Sequence, residues 1–159
     1  MLTRNLQIRR CRPADVDRVN EIREACFPVE REYNFVSSGD NLVAIKGGKI
    51  LAIAGVTAET PNTNWVDSIA VDPRYQRLGI ASELVRSIWR SPMNPPLHQQ
   101  PKINRRLFAA VRAGDLQAQL FFRACGFRAV RTSKKHFFDS DAYVFRFHQP
   151  ATAELRKAG

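Results

Sequence analysis

Ile69-Ala-Val-Asp-Pro-Arg-Tyr-Gln-Arg-Leu-Gly-Ile-Ala-Ser82 is the stretch on which the reading of this chain turns. Trp65 to Val71 is apolar on both faces, as a strand buried in the middle of a sheet is. Asp72-Pro73 then turns the chain, and Gln76, Arg77 and Gly79 form a loop. Beyond it Ile80, Leu84, Val85, Ile88 and Trp89 recur at helical spacing. A strand-loop-helix of this kind can leave backbone N–H groups unpaired at the helix start. Together with the positive end of the helix dipole they bind an anion such as phosphate without needing a lysine. Gly79 puts no side chain in the way and Ala81 is nearly as small. The pattern G-x-x-x-x-G-K-[ST] is absent, so this is not a P-loop, and G-x-G-x-x-G is absent, so it is not a dinucleotide fingerprint. Read from the residues alone, an anion cradle and a plain strand-to-helix connection both remain open.

Working outward, residues 6 to 12 read as a strand, and Pro13 starts a helix with Asp15 and Asp17 in its first turn. Val16, Val19, Ile22 and Cys26 keep one stripe of that helix apolar as far as Phe27. Residues 28 to 40 fit a short helix or a loop. Leu42 to Lys46 and Lys49 to Thr57 flank Gly47-Gly48, a two-residue hairpin signal. After the 65–71 strand and its helix, residues 91 to 106 read as a long loop. Leu107 to Val111 is a strand, and Asp115 caps a helix carrying Leu116, Leu120, Phe121 and Ala124. Phe127 to Arg131 and Ala142 to Phe147 close the sheet. The pattern predicts one mixed α/β (α+β) domain over residues 1–149 and a polar tail over 150–159.

The 159 residues are 44% hydrophobic and 25% charged, a globular composition. No apolar run approaches the roughly 18 residues of a membrane span, and the first ten residues lack a secretory signal's apolar core. Cys11, Cys26 and Cys125 are odd in number and widely spaced, which excludes a disulfide framework and a zinc-finger pattern. A cytoplasmic setting, no membrane partner and no metal are expected. The net charge is +10 and the pI near 10.3. Six acids fall between residues 15 and 32, whereas residues 84 to 138 hold eleven Lys or Arg against the single acid Asp115. So basic a half attracts a polyanion, whether nucleic acid or a multiply phosphorylated cofactor, although a solvated basic surface has the same composition.

Gln76-Arg-Leu-Gly79-Ile-Ala81 resembles the Q/R-x-x-G-x-G/A acyl-CoA signature of the GNAT superfamily of N-acetyltransferases, and Ile69 to Tyr75 resembles the run into it. The segment from Val111 to Gly126-Phe127 is similar to that superfamily's later strand and helix. Phe137-Phe-Asp-Ser-Asp-Ala-Tyr-Val-Phe145 and Ala25-Cys-Phe-Pro28 are similar to the ribosomal-protein N-terminal alanine acetyltransferases. The resemblance covers most of residues 6 to 148, in order. It implies a mixed, twisted sheet splayed at a bulge in the Trp65–Val71 strand, with helices on both faces. It further implies that acetyl-CoA is held by Ile69, Ala70 and Val71 along its pantetheine. Gln76, Arg77, Leu78, Gly79, Ile80, Ala81 and Ser82 would lie around its pyrophosphate.

The catalytic positions depart from the family pattern. Phe122 stands where a tyrosine acid is usual, Ala110 where the ribosomal-protein subgroup has a glutamate base, and Asp115 replaces a helix-starting asparagine. Asp67 is the candidate base, read as sharing the side of Ile69 and Val71, and an ion pair with a neighbouring Arg is its structural alternative. Glu59, at the preceding strand's end, is the second candidate or simply a solvated end. Asp115 reads as a cap that can also touch the cofactor, and Phe122 as packing against either core or cofactor. His98, His136, His148 and Cys125 are assigned no chemistry.

Three function classes follow. The leading one is acetyl transfer from acetyl-CoA to a primary amine by direct transfer in a ternary complex. A protein N-terminus, an antibiotic amine and a polyamine are all open as acceptors. The second is a non-catalytic acyl-CoA-binding protein, suggested by Ala110 and Phe122. The third is a nucleic-acid-binding module, suggested by the charge and by Lys134-Lys135-His136-Phe137-Phe138. It carries no helix-turn-helix, zinc-finger or RRM signature, so no sequence-specific nucleic-acid partner is expected.

Overall fold

The structure is a computed structural model that describes residues 3–27, 40–60, 62–90, 105–137 and 140–148. Its chain falls into two compact units, residues 1–107 and 108–159. The expectations for residues 28–39, for 91–104 and for the tail lie outside the described residues.

In the first unit, β1 (Gln7–Arg10), β2 (Asp40–Lys46), β3 (Lys49–Thr60) and β4 (Thr63–Val71) pair antiparallel in the order β1-β2-β3-β4. Gly47 and Gly48 both take positive φ, 56° and 75°, in the β2–β3 turn that their sequence signals. The helix expected from Pro13 begins as a single 3-10 turn, Pro13–Asp15, and becomes α1 over Val16–Cys26. Val19 and Ile22 of α1 lie in one cluster with Val43, Ile45, Ile50, Ile53 and Ala70, which defines one face of the sheet. Leu42, Ala44, Ala52 and Ala54 alternate with these and point the other way. On that side α2 (Ile80–Arg90) packs, burying Ile80, Leu84, Val85 and Ile88. Helices on both faces explain why β3 and β4 are apolar throughout their middles.

In the second unit, β5 (Arg106–Arg112, whose first two residues belong to the first unit), β6 (Phe127–Ser133) and β7 (Ala142–Phe147) pair antiparallel in the order β5-β7-β6. The helix α3 (Leu116–Ala124) sits between β5 and β6 in sequence. Its Phe122 ring meets Phe127 edge-on at 5.1 Å, and Phe127 meets Phe147 at 5.5 Å. These rings mark the side of this sheet that α3 covers. Seven strands and three α-helices place the described chain in the α/β class.

The link from β1 into α1 depends on a nearly buried acid. Asp15 accepts from both guanidinium nitrogens of Arg9, at 2.6 and 3.1 Å, and from the Arg12 amide at 2.7 Å. The Arg9 hydrogen bond, then that of the Arg12 amide, holds its carboxyl at about 2, below the ordinary 3.8. A carboxyl depressed on folding stabilises the native state above its unfolded pKa and loses that contribution as pH falls through the folded value. We therefore expect Asp15→Asn to lower Tm at neutral pH and to converge with the wild type between about pH 4 and pH 2. Thermal melts across that range check this, and a gap that persists at pH 2 would show that charge is not the source.

Candidate active site

The loop after β4 is built on a carboxylate. Asp72 is 4% exposed, and its side chain accepts from the Arg74 amide at 3.0 Å, Arg74 Nη2 at 2.9 Å and Arg18 Nη2 at 2.5 Å. Its own amide bonds the Leu51 carbonyl, and its carbonyl accepts from the Tyr75 amide. Arg74 first, and Arg18 with it, hold the Asp72 carboxyl far below the ordinary carboxylate range. Arg18 also donates from Nε to the Ile50 carbonyl at 3.3 Å, so one acid joins α1, β3, the end of β4 and the 3-10 turn Pro73–Tyr75.

Past that turn the backbone takes two left-handed steps, at Arg77 (φ 61°) and Gly79 (φ 84°), before α2 begins. For Arg77 this conformation costs on the order of 1 kcal/mol or more, and the short-range fold must hold it there. Turns of this kind aim successive N–H groups into one concavity. The Gly79 carbonyl accepts from the Glu83 amide, so the amides of Ile80, Ala81 and Ser82 lie ahead of that bond, at the positive end of α2. Arg77, Leu78 and Gly79 are exposed. Gln76 folds back: its side-chain amide donates to the Val71 carbonyl at 3.0 Å, an oxygen that Cys26 Sγ also approaches at 3.1 Å. Gln76 thus shapes the loop through the end of β4, and the Val71 carbonyl already has partners within the protein.

Asp67 and Glu59 sit where the β3–β4 ladder slips. Gly55 pairs with Ser68 and Val56 with Val66, which leaves Asp67 as the extra residue of the expected bulge. The slip turns its side chain to the α1 face, where Thr57 Oγ1 donates to its carboxylate at 2.5 Å. The expectation that Asp67 shares the side of Ile69 and Val71 is therefore corrected, because period-2 alternation does not survive a bulge. No Arg holds it among the described residues. Although Asp67 is solvent-accessible, protein crowded around the carboxylate pushes its pKa above the ordinary value, with the Thr57 hydrogen bond pulling the other way. Glu59 is the extra residue of a second slip, between Ala58 and Thr60, and accepts from Trp65 Nε1 at 2.8 Å. Glu59 is thus a tether for the indole, beyond a merely solvated strand end.

In the second unit Asp115 is the expected cap, accepting from the Ala118 amide at 3.0 Å. Phe122 is 8% exposed and set edge-on against Phe121 and Phe127. Packing against the aromatic core, one of its two expected surroundings, is present in these ring contacts. Among the described residues no group of His, Cys, Asp and Glu could hold a metal ion, and no helix is long and apolar enough to cross a membrane.

The sequence matches the Acetyltransferase (GNAT) family over residues 8–127. The chain belongs to the GNAT acetyltransferase family. Solved structures agree on the fold. A ribosomal-protein-S18-alanine N-acetyltransferase from Escherichia coli is 19% identical with TM-score 0.66, covering 89% of this chain and 92% of its own. A GNAT acetyltransferase from Elizabethkingia anophelis with acetyl-CoA bound is 17% identical with TM-score 0.65, covering 91% and 99%. An acetyltransferase from Bacillus subtilis in complex with CoA is 14% identical with TM-score 0.67, covering 91% and 99%. No curated protein matches the sequence.

For this GNAT chain the sequence reading missed Arg18 and Thr57, because neither has a local signature: each finds its acid across the fold. The Asp72 side chain was legible in principle, since Asp-Pro-x opens a turn through the acid's own oxygen. Phe122 marks a limit on engineering. A tyrosine there would add a hydroxyl to a buried ring set against Phe121 and Phe127, so Phe122→Tyr should cost about 1–3 kcal/mol. Urea or thermal unfolding measures it, and an unchanged stability would mean that the hydroxyl finds a partner.

Proposed function

We propose that this protein is an acetyl-CoA-dependent N-acetyltransferase that moves the acetyl group to a primary amine by direct transfer in a ternary complex. The observation that carries this reading is the loop 76–82, with its two left-handed residues and its amides gathered at the start of α2. Gly79 makes the cradle testable: its φ of 84° suits a residue without a side chain, and a Cβ would also stand 3.4 Å from Thr3 Cγ2. The bound acetyl-CoA structures among the neighbours support the same cosubstrate. Arg77, Leu78, Gly79, Ile80, Ala81 and Ser82 would face its pyrophosphate, with Gln76 fixing the loop. Ile69 and Ala70 would run beside its pantetheine. The family match continues from one compact unit into the other, which supports residues 1–149 as one catalytic domain.

Acetyl-CoA supplies an activated acetyl group on a thiol whose solution pKa, near that of cysteine at about 8.5, lets it leave with little help. The protein's task is then to present a neutral amine. Asp67 is suited to accept the amine proton, directly or through water, because partial burial raises its pKa toward working pH. Thr57 Oγ1 holds the carboxylate in place. We assign no step to Asp115, which caps α3, or to Phe122, which packs in the aromatic core.

Two measurements test this. Acetyl-CoA should raise Tm, since a ligand bound only by the native state stabilises it. Gly79→Glu should remove that rise while the free protein still melts cooperatively, and an undiminished rise would remove the loop from the site. Separately, Asp67→Asn should lower kcat with little change in acetyl-CoA affinity. A base must be deprotonated, so wild-type turnover should climb as pH rises through the raised carboxyl pKa, and the variant should lose that limb. Glu59→Gln should leave turnover nearly unaltered. Equal pH profiles for wild type and Asp67→Asn would exclude Asp67 as base.

A further inference from the structure

Among the described residues β6 is the outer strand of the second unit's sheet, and it gathers cations. Phe127 and Phe147 point to the α3 side, so alternation turns Arg146 of β7 to the other. Arg128 of β6 stands directly opposite Arg146. By simple alternation Arg131, three residues on from Arg128, would face the opposite way. A slip between Ala129 and Arg131 leaves Val130 as an extra residue, so Arg131 pairs with Val144 and joins the face of Arg146. Like charges directly opposite on a sheet are destabilising. His148 registers their field: the protein packed around it, then the Arg128 and Arg146 charges, hold its pKa below the ordinary value. Past Ser133 the chain turns through two more exposed cations, Lys134 and Lys135. That turn is well tied. Lys135 takes a φ of 50°, its amide donates to the Asp141 carboxylate at 2.8 Å, and the Phe137 amide donates to the Ser140 carbonyl at 3.1 Å. The exposed His136 ring meets Phe137 edge-on at 4.8 Å, while Arg112 of β5 lies over Phe137, 4.7 Å from its centre. Arg128, Arg131, Arg146, Lys134 and Lys135 have no acidic side-chain partner among the described residues. Cations interspersed with acids would keep the surface soluble without this repulsion.

The shape of the patch points to one kind of polyanion. Its cations follow β6 lengthwise: Arg128, Arg131, Lys134 and Lys135 are all exposed. At about 3.4 Å per residue, Arg128 to Lys134 spans roughly 20 Å. The row stays on the outer strand and does not cross the sheet, where Val144 is fully buried. A row one cation wide suits one phosphate backbone. Duplexes are read in the major groove by a helix or a two-stranded ribbon, and β6 with β7 is no free ribbon, because β5 pairs with the other side of β7. The exposed imidazole of His136, next to Lys135, gives an unstacked base a ring to lie on. Phosphates met by cations and bases met by an aromatic ring are the two contacts that hold a single strand without reading its sequence.

We propose that β6 and the turn after it bind single-stranded nucleic acid, with Arg128, Arg131, Lys134 and Lys135 on its phosphates and His136 against a base. This surface lies within the second unit and does not depend on the acetyltransferase reading. The experiment uses the full chain and a fluorescein-labelled single-stranded RNA of mixed sequence, followed by anisotropy at several salt concentrations. Four phosphate contacts predict that the logarithm of affinity falls with that of salt at a slope of about −3. Arg128→Gln with Arg131→Gln, and separately Lys134→Gln with Lys135→Gln, should each flatten that slope by about 1.4. Arg128→Lys with Arg131→Lys keeps both charges and should preserve it. His136→Ala should weaken RNA binding by about fivefold or more and leave the binding of inorganic polyphosphate unaltered. Cooperative thermal melting shows that each variant folds. A single-stranded DNA of the same sequence separates the two sources: equal affinity assigns the contacts to phosphates and bases, and tighter RNA binding adds the 2′-hydroxyl. A slope unchanged in both Gln pairs would overturn the proposal, as would a duplex bound more tightly than the single strand. Polyphosphate or phosphatidylserine vesicles held as tightly as RNA by the same residues would overturn it too. RNA displaced by CoA, and lost in Gly79→Glu but kept in the β6 variants, would move the polyanion to the loop 76–82 and end the assignment to β6.

Discussion

The candidate site in the first unit depends on the Asp72 carboxylate. It is buried at the end of β4 and hydrogen-bonded to guanidinium groups on both sides. The cost of burying a charge is met because its oxygens are fully engaged, by Arg18 from α1 and by the amide and side chain of Arg74. The result fixes the direction in which the chain leaves the sheet. From there the chain passes through the left-handed turns at Arg77 and Gly79 into α2. A strained conformation persists only where its surroundings hold it, and here the loop is anchored before it by the Asp72 network and at Gln76 by the Val71 carbonyl.

Both candidate bases are products of irregular pairing. A regular ladder places each side chain strictly up or down, and an extra residue breaks that rule locally and re-aims its side chain. Asp67 meets Thr57, and Glu59 reaches the indole of Trp65, for this reason. The two acids differ in consequence. Glu59 accepts from a tryptophan N–H, a contact that holds the β3–β4 end together, whereas Asp67 accepts from the Thr57 hydroxyl and has a carboxyl pKa raised chiefly by the protein crowded around it.

The elements were legible where a residue's own chemistry sets its backbone. Gly47-Gly48 named its turn, Asp115 its cap, and the stripe from Ile80 to Trp89 its helix. The extra turn of β3 beyond Thr57 was not legible, because Ala58-Glu-Thr60 has no apolar alternation and is held by pairing with Asn64 and Thr63. Side-chain direction was the weaker part of the reading. Asp67, Glu59 and Arg131 all sit at register slips, and a slip is set by the partner strand, which the residue's own neighbours do not encode. The same holds for Arg18 and Thr57, whose roles depend on contacts formed only once distant segments meet.

The slip at Val130 also affects how this protein behaves toward copies of itself. Among the described residues β6 ends the strand order and is exposed on nearly every residue after Phe127, so its outer edge there is a template for an intruding strand. A bulge interrupts the regular row of donors and acceptors that such a strand would need, and Arg128 and Arg131 beside it repel a second edge of the same charge. One extra residue thus makes this edge of the described sheet a poor nucleus for aggregation. The electrostatic half of that protection weakens as ionic strength rises, while the geometric half does not.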